Sequence, residues 1–213
     1  MKPKPTIAVI GAGGHAKVVI ATLQAAGYES IVVFDDDPAK WQSRLLGFPV
    51  AGPVSEVRVQ KIESGIIAIG SNSKRKEIAS AVSLEWVRLV HPTASTHPSV
   101  ALGAGTVVFA GAVIQPDTVV GAHTIINTGA ILDHDCRLGD FVHVAPGVSL
   151  CGGVGIGEGT LVGVGASVVP GIRIGCWSTV GAGAAVVGDL PDRTLALGVP
   201  ARPVHVKSKE GTR

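Results

Sequence analysis

The most regular feature of the chain is an aliphatic residue at every sixth position from Leu102 to Val186. All fifteen of these positions hold Leu, Ile or Val: Leu102, Val108, Ile114, Val120, Ile126, Leu132, Leu138, Val144, Leu150, Ile156, Val162, Val168, Ile174, Val180 and Val186. A mostly small or β-branched residue follows each of them four positions later. A six-residue period is typical of a parallel β-helix, in which three hexads close one triangular coil of about 18 residues. Fifteen hexads therefore predict five coils whose aliphatic side chains point inward.

Residues 6–90 follow a different pattern, in which short apolar segments alternate with helical ones. Segments 7–10, 31–34, 65–69 and 87–90 predict four strands, which this alternation favours as a small parallel α/β sheet. We predict a small α/β, half-Rossmann-like domain at 1–92 and an all-β domain of hexapeptide repeats at 93–191. A capping segment and tail would occupy 192–213.

Composition excludes several classes of protein. A net charge of +2 gives no electrostatic reason to expect binding to nucleic acid or to an anionic membrane. No apolar run approaches the ~18 residues of a membrane span, and no secretory signal is recognisable. Three cysteines without CxxC spacing favour a reducing compartment, so we predict a cytoplasmic protein. Seven histidines without ligand spacing predict no metal site.

A glycine-rich loop follows the first predicted strand. Gly11 and Gly13 precede a helical segment, and His15 lies inside the loop. Backbone N–H groups at a helix N-terminus can face phosphate, and Asp35 and Asp36 end the next strand, where such folds place a ribose-binding acid. Because only half of a dinucleotide fold precedes the repeat, one nucleotide or a nucleotide-sugar fits better than NAD. The alternative is a tight turn that binds nothing. Asp36 or Asp37 could instead cap the next turn.

A second candidate site contains two histidines on the repeat. The six-residue register predicts that His134 and His143 both face outward. They are nine residues apart, which is half a coil, so they lie on different sides of one prism. They could meet across the groove between two prisms, which indicates a cyclic trimer with sites between subunits. Asp135 could raise the pKa of His134 and orient its ring, although neighbours in a strand need not touch. The alternative is two surface histidines.

Small residues recur near the end of the repeat. Gly163 and Gly181 are eighteen residues apart and should stack in adjacent coils. Such a ladder could leave a flat channel for an extended ligand, or its members could be ordinary corner glycines.

Several motifs together resemble a known family. They are Gly11-Ala-Gly-Gly-His15-Ala-Lys-Val-Val19, Ala68-Ile-Gly-Ser-Asn72, His91-Pro92, Ile126-Asn-Thr-Gly-Ala130, Asp133-His-Asp-Cys136, Gly181-Ala-Gly183 and Gly198-Val-Pro-Ala201. In this order the chain resembles the hexapeptide-repeat sugar acyltransferases of the NeuD family, and more closely the bacterial nucleotide-sugar amine N-acetyltransferases of glycan and exopolysaccharide synthesis. The resemblance implies a left-handed β-helix, a homotrimer, and acetyl transfer from acetyl-CoA to a UDP- or GDP-linked amino sugar.

The resemblance also implies roles for individual residues. His134 would be the general base and Asp135 its support, while His143 of a neighbouring subunit would contact acetyl-CoA, as would Gly152, Val164 and Ala182. The Gly152 N–H would be an oxyanion donor. The acceptor would be bound by Asn127, Gly13, Gly14, His15, Asp35 and Asp36. The alternatives are an O-acetyltransferase acting on sialic acid or another sugar and a non-catalytic β-helix scaffold, while a nucleotidyltransferase is disfavoured.

Overall fold

A computed structural model describes residues 4–204. Its N-terminal part is a six-stranded sheet of order β3-β4-β2-β1-β5-β6, with β1 central among the parallel strands. The strands are β1 (Ile7–Ile10), β2 (Ile31–Phe34), β3 (Arg44–Leu45), β4 (Phe48–Gly52), β5 (Ser64–Ile67) and β6 (Glu85–Trp86). The helices are α1 (Gly14–Ala25), α2 (Glu56–Val59) and α3 (Asn72–Ala81), and a 3₁₀ turn covers Pro38–Lys40. No helix within residues 4–204 is both long and apolar enough to cross a membrane.

The remaining strands build a three-sided column. The strands are β7 (Leu89–Val90), β8 (Ser95–Thr96), β9 (Ala101–Leu102), β10 (Val107–Val108), β11 (Val113–Ile114), β12 (Val119–Val120), β13 (Ile125–Ile126), β14 (Ile131–Leu132), β15 (Arg137–Leu138), β16 (His143–Val144), β17 (Ser149–Leu150), β18 (Gly155–Ile156), β19 (Leu161–Val162), β20 (Ser167–Val168), β21 (Arg173–Ile174), β22 (Thr179–Val180), β23 (Ala185–Val186), β24 (Leu195–Leu197) and β25 (Arg202–Pro203). Strands β7, β10, β13, β16, β19, β22, β24 and β25 form one face, here called the covered face. The second face runs from β8 through every third strand to β23, and the third face from β9 to β21.

The six-residue period explains the interior of this column. The predicted inward aliphatics are buried from Val108 to Val186, and only Leu102, in the first coil, is partly exposed. Cys136 is fully buried, as its register predicts. Coils stack so closely that a Cβ added to Gly121 would lie 2.5 Å from the backbone nitrogen of Asp140. The corner glycines of this column therefore permit coil stacking, which a side chain would prevent.

The N-terminal domain rests on the covered face. Leu89, Val107 and Ile125 point outward from this face, yet each is only 1% exposed because they pack in the same core as helix α1. His143 occupies the equivalent position one coil beyond Ile125, at the edge of the covered area. The prediction that 87–90 is a strand of the α/β sheet is wrong: β6 pairs with β5, while β7 pairs with β10 and begins the column.

Candidate active site

A crevice opens at the carboxyl ends of the central strands. The chain passes from β1 to β2 and β4 on one side and returns to β5 on the other, so β1 and β5 flank the topological switch point. Ligands of open α/β sheets bind at such points. A cavity of about 110 Å³ lies there. It is lined by Ile10, Gly11, Asp35, Asp36, Val54, Ile69, Lys74 and Ile78, and a cleft of about 500 Å³ shares four of these residues: Asp36, Val54, Lys74 and Ile78.

The N-terminus of α1 also lies in this loop region. Gly13 is its N-cap and makes no side-chain capping bond, and the first turn contains no acidic residue. Gly13 and Gly14 are exposed, and a Cβ at either position would meet no atom within 4 Å. Their backbone N–H groups can therefore be approached by an anion such as a diphosphate.

The two aspartates after β2 have different surroundings. The Asp35 carboxylate accepts hydrogen bonds from the backbone N–H groups of Ala12 at 2.7 Å and Asp37 at 2.9 Å, and from Lys40 Nζ at 3.0 Å. Partial burial alone would raise the pKa of Asp35, but these bonds outweigh it and hold the pKa below its ordinary value. Asp35 thus fixes the glycine loop. Asp36 accepts one bond from Val54 N–H at 2.9 Å and lines both cavities, so it is the better placed of the two to meet a ligand.

Three predicted residues meet at the edge of the covered face. Asn127 Oδ1 accepts from Thr128 N–H at 2.9 Å, so its Nδ2 faces His143 Nε2 at 3.1 Å. Because an amide nitrogen only donates, Nε2 of His143 is the acceptor. The His15 ring lies 6.2 Å from that of His143 and 5.4 Å from Phe109, centroid to centroid.

Both histidines of this group are neutral at pH 7. Burial, followed by the charge of Arg75, lowers the pKa of His143 to about 4 and that of His15 to about 4. Nε2 of His15 is buried and has no hydrogen-bond partner within residues 4–204. The pocket can therefore receive a polar, uncharged group of a ligand, such as a hydroxyl or a neutral amine.

His134 lies at a different edge, the corner between the second and third faces. Its Nδ1 is 2.8 Å from Asp135 Oδ2, so the adjacent side chains do touch. A carboxylate only accepts, which leaves Nε2 of the neutral ring with the lone pair. The bond to Asp135 raises the pKa of His134 above its ordinary value, and the charge of Asp133 adds to this effect. The imidazole is 60% exposed in the single chain.

Gly152 occupies the same corner one coil later. A Cβ added there would lie 2.6 Å from both Nε2 and Cε1 of His134, so the ring rests directly over this glycine. Within residues 4–204 the Gly152 N–H donates to no protein acceptor. A basic nitrogen and a free N–H donor are thus adjacent at one corner.

The two predicted channel residues stack at the opposite edge of the second face. Val164 is 55% exposed between β19 and β20, and the exposed Ala182 follows one coil later. A Cβ on Gly163 would lie 2.7 Å from the backbone nitrogen of Ala182. Gly163 is therefore required for coil stacking, so it gives no independent indication of a ligand channel.

The site residues form two separate groups on one chain. His134, Asp135 and Gly152 lie at one edge of the second face, while Asn127 and His143 lie towards the other. The spacing argument that His134 and His143 occupy different sides of the prism is confirmed. Both histidines face outward from the column, as the register predicts, and the N-terminal domain partly buries His143. Lys74 and Arg75, on α3, were missed, since their basic run resembles any solvated helix face.

Replacing Asp135 with asparagine should shift the pH profile of the acetyl transfer that the sequence predicts. Asp135 raises the pKa of His134, so the neutral ring needed for a base is lost at a higher pH than for an isolated histidine. In Asp135→Asn the acidic limb of kcat/KM should therefore move to lower pH. A matched change, Asp117→Asn, alters an exposed acid on the same corner and should leave the limb in place. An unshifted limb in Asp135→Asn would contradict the role of this pair.

Comparisons with known proteins agree with this architecture. A family model described as the PglD N-terminal domain matches residues 6–82. UDP-N-acetylbacillosamine N-acetyltransferase of Bacillus subtilis (strain 168) is 41% identical over 110 residues, which is 49% of this chain and 51% of that enzyme. The match thus spans about half the length of that relative.

Solved structures match over nearly the whole chain. A histidine variant of perosamine N-acetyltransferase from Caulobacter crescentus, in complex with CoA and GDP-perosamine, is 43% identical with a TM-score of 0.90 and covers 94% of this chain and 97% of its own. The acetyltransferase domain of PglB from Neisseria gonorrhoeae, in complex with acetyl coenzyme A, is 40% identical with a TM-score of 0.89 and covers 94% and 100%. These matches confirm the α/β domain followed by a left-handed parallel β-helix. The chain belongs to the same family of sugar N-acetyltransferases as these two proteins.

Proposed function

We propose that this protein transfers the acetyl group of acetyl-CoA to the amine of a nucleotide-linked amino sugar of the UDP- or GDP-4-amino-deoxyhexose type, in surface glycan or exopolysaccharide synthesis. The observation that carries this proposal is the pair of half-sites on one chain. One holds a basic imidazole beside a free N–H donor, and the other joins a neutral polar pocket to a nucleotide-type crevice. The relatives act on amines, which favours an amine over the hydroxyl of an O-acetyltransferase.

The proposed reaction is a direct transfer between the two bound reactants, without a covalent intermediate on the protein. The sugar amine attacks the thioester carbonyl, the C–N bond forms, and the C–S bond breaks to release the CoA thiol. Nε2 of neutral His134 takes the proton that the nitrogen must lose, a step worth about 10²–10⁴-fold in rate. The Gly152 N–H stabilises the developing oxyanion, for which one good donor contributes about 3–4 kcal/mol. His134 then returns the proton to the departing sulfur or to solvent.

The nucleotide end is assigned to the N-terminal domain. The exposed N–H groups of Gly13 and Gly14 suit a diphosphate, and Asp36 suits a ribose or base hydroxyl or N–H. Asn127, His15 and His143 form the polar pocket between this domain and the column, in which Asn127 and His15 would contact the acceptor and His143 would contact acetyl-CoA. Val164 and Ala182 continue the same edge towards the C-terminal coils, where the pantetheine arm of acetyl-CoA would run.

A trimer would bring the two half-sites together. They lie at different edges of one column, so a single chain cannot use both on one substrate. A head-to-tail contact joins the His134 edge of one column to the His143 edge of the next, and such contacts close into a ring when the rotation allows it. We propose a homotrimer with three sites between subunits. We also propose a cytoplasmic location, which the three free cysteines support.

The proposed reaction is tested by offering purified protein acetyl-CoA with a panel of UDP- and GDP-linked amino sugars. Thiol release and the mass of the product are measured together. The expected result is a product heavier by one acetyl group with at least one amino sugar. A parallel reaction with free sialic acid separates N- from O-acetylation. The proposal would be overturned if thiol were released only with sialic acid. It would also be overturned if no acceptor in the panel led to thiol release.

A site shared between subunits predicts how much activity a refolded mixture of two nearly inactive variants should recover. Two variants, His134→Ala and His143→Ala, should each be nearly inactive. When they are unfolded together and refolded at equal amounts, an interface is complete only if the first subunit retains His134 and the next retains His143. Random assembly makes about one interface in four complete, so about a quarter of wild-type activity should return. Sites contained within one chain would give no recovery above that of the separate variants.

A further inference from the structure

Arg75 is the feature of the molecule that the proposed mechanism leaves unexplained. It lies on α3 and is 1% exposed, among the largest fully buried side chains within residues 4–204. Burial lowers its pKa to about 10, so it remains charged at pH 7. Its hydrogen bonds to described residues all end on backbone carbonyl oxygens, and no described carboxylate pairs with it. A buried charge without a counter-ion is costly, which calls for an explanation.

The carbonyl groups that Arg75 contacts belong to both domains. Its Nη1 donates to Ile69 O at 3.1 Å and Gly70 O at 2.9 Å, just beyond strand β5 at the proposed nucleotide crevice. Its Nε donates to His123 O at 3.0 Å, at a corner of the column. Its Nη2 donates to Phe141 O at 2.9 Å and to Val142 O at 3.3 Å, one coil later. The planar guanidinium thus bridges the crevice loop and two successive coils.

The position of these contacts connects them to the polar pocket. Val142, whose carbonyl oxygen accepts from Arg75, directly precedes His143, and His143 begins strand β16. One side chain therefore fixes the nucleotide crevice and the strand that presents His143 in a single frame. A guanidinium has five donors in a rigid fork, whereas an ammonium could not hold all of these carbonyls at once.

We propose that Arg75 is the positioning residue that sets the nucleotide crevice against the polar pocket of Asn127 and His143, and that its unpaired charge keeps this pocket free of other cations. This inference rests on the proposed function. The groups next to His143 are Arg75 from α3, which donates to the carbonyl oxygen of the preceding Val142, His15 from α1 and the neutral Asn127. Since the pocket faces a fixed positive charge, a bound sugar amine is favoured in its neutral, nucleophilic form.

The chain offers a matched control for this role. Lys76 is also on α3 and also reaches the column, through an ion pair with Glu158 and a position 5.3 Å above the Trp177 ring. It is exposed, and the side-chain contacts that it makes are with Glu158 and Trp177 of the column. Lys76→Met removes a cation that bridges the domains and lies away from the pocket. It therefore measures how far kcat falls when only the contact between the domains is weakened.

The test compares Arg75→Met, Arg75→Lys and Lys76→Met. We expect both Arg75 variants to lose at least about tenfold in kcat, because small displacements of reacting groups cost that much. The dissociation constants of UDP and GDP, held by the N-terminal domain, should change by less than about twofold. Lys76→Met should retain kcat. Wild-type kcat in Arg75→Lys, or an equal loss in Lys76→Met, would overturn the proposal.

A second readout does not depend on turnover. The ¹⁵N chemical shifts of the His143 ring should show it neutral down to about pH 4 in the wild type. The ring should titrate at higher pH in Arg75→Met and stay near the wild-type value in Arg75→Lys, which keeps the charge. If Arg75→Met does not fold, the Lys variant carries the kinetic test. An unchanged titration of the His143 ring in a folded Arg75→Met variant would refute the proposed effect of the Arg75 charge on the pocket. An inactive wild type would count against the proposed reaction alone.

Discussion

Replacing His134 with alanine should lower kcat by more than about tenfold while changing KM for either substrate by less than about twofold. The imidazole is exposed in the single chain and its side-chain hydrogen bond goes to Asp135, so its removal leaves no cavity. The expected loss is therefore confined to the proton transfer. A neutral amine is a fair nucleophile by itself, which is why the loss should lie towards the lower end of general-base effects, about 10²–10⁴-fold.

A matched histidine separates this effect from a general effect on the surface. His97 is exposed at the same corner near the start of the column, where its Nδ1 lies 2.9 Å from Ser99 Oγ. His97→Ala should leave kcat unchanged. The melting temperature of both variants should match that of the wild type. Full activity in His134→Ala would remove this residue from the role of base, and a rise in KM without a fall in kcat would make it a binding residue.

The column could be predicted from sequence because its information is local. Each hexad repeats the same demand, an inward aliphatic and a small residue at the corner, and every coil pairs with the next in the same register. The boundary could not be predicted in this way. Both 85–86 and 89–90 are suitable as strands, and only their pairing partners, β5 and β10, assign one to each domain.

The site residues likewise fall into those whose position follows from the repeat and those whose position depends on packing between the domains. The exposure of His134 follows from its place in the period, and so does its separation from His143. The burial of His143 does not, because it depends on which face the N-terminal domain covers. Arg75 is the extreme case: it lies between Lys74 and Lys76, which are both exposed. Nothing in three consecutive basic residues indicates that the middle one is buried, since that depends on how α3 packs against the column.

The geometry at Gly152 gives the other large expected effect. A methyl group there would lie 2.6 Å from Nε2 and Cε1 of His134. The atoms in the way belong to the end of an exposed side chain, so the ring can swing aside and the coil need not distort. Gly152→Ala also retains the backbone N–H that would bind the oxyanion. The substitution therefore displaces the base and leaves the rest of the half-site in place.

We accordingly expect Gly152→Ala to lower kcat by at least about tenfold with a melting temperature close to that of the wild type, since a misplacement of about 1 Å can cost about 10²-fold. Gly188→Ala is the matched control, because a Cβ at Gly188 meets no atom within 4 Å. The double variant with His134→Ala should be no slower than His134→Ala alone, because both changes act through the same imidazole. If the two losses multiply instead, Gly152 contributes to the reaction by a route other than holding His134, and the assignment of its role fails.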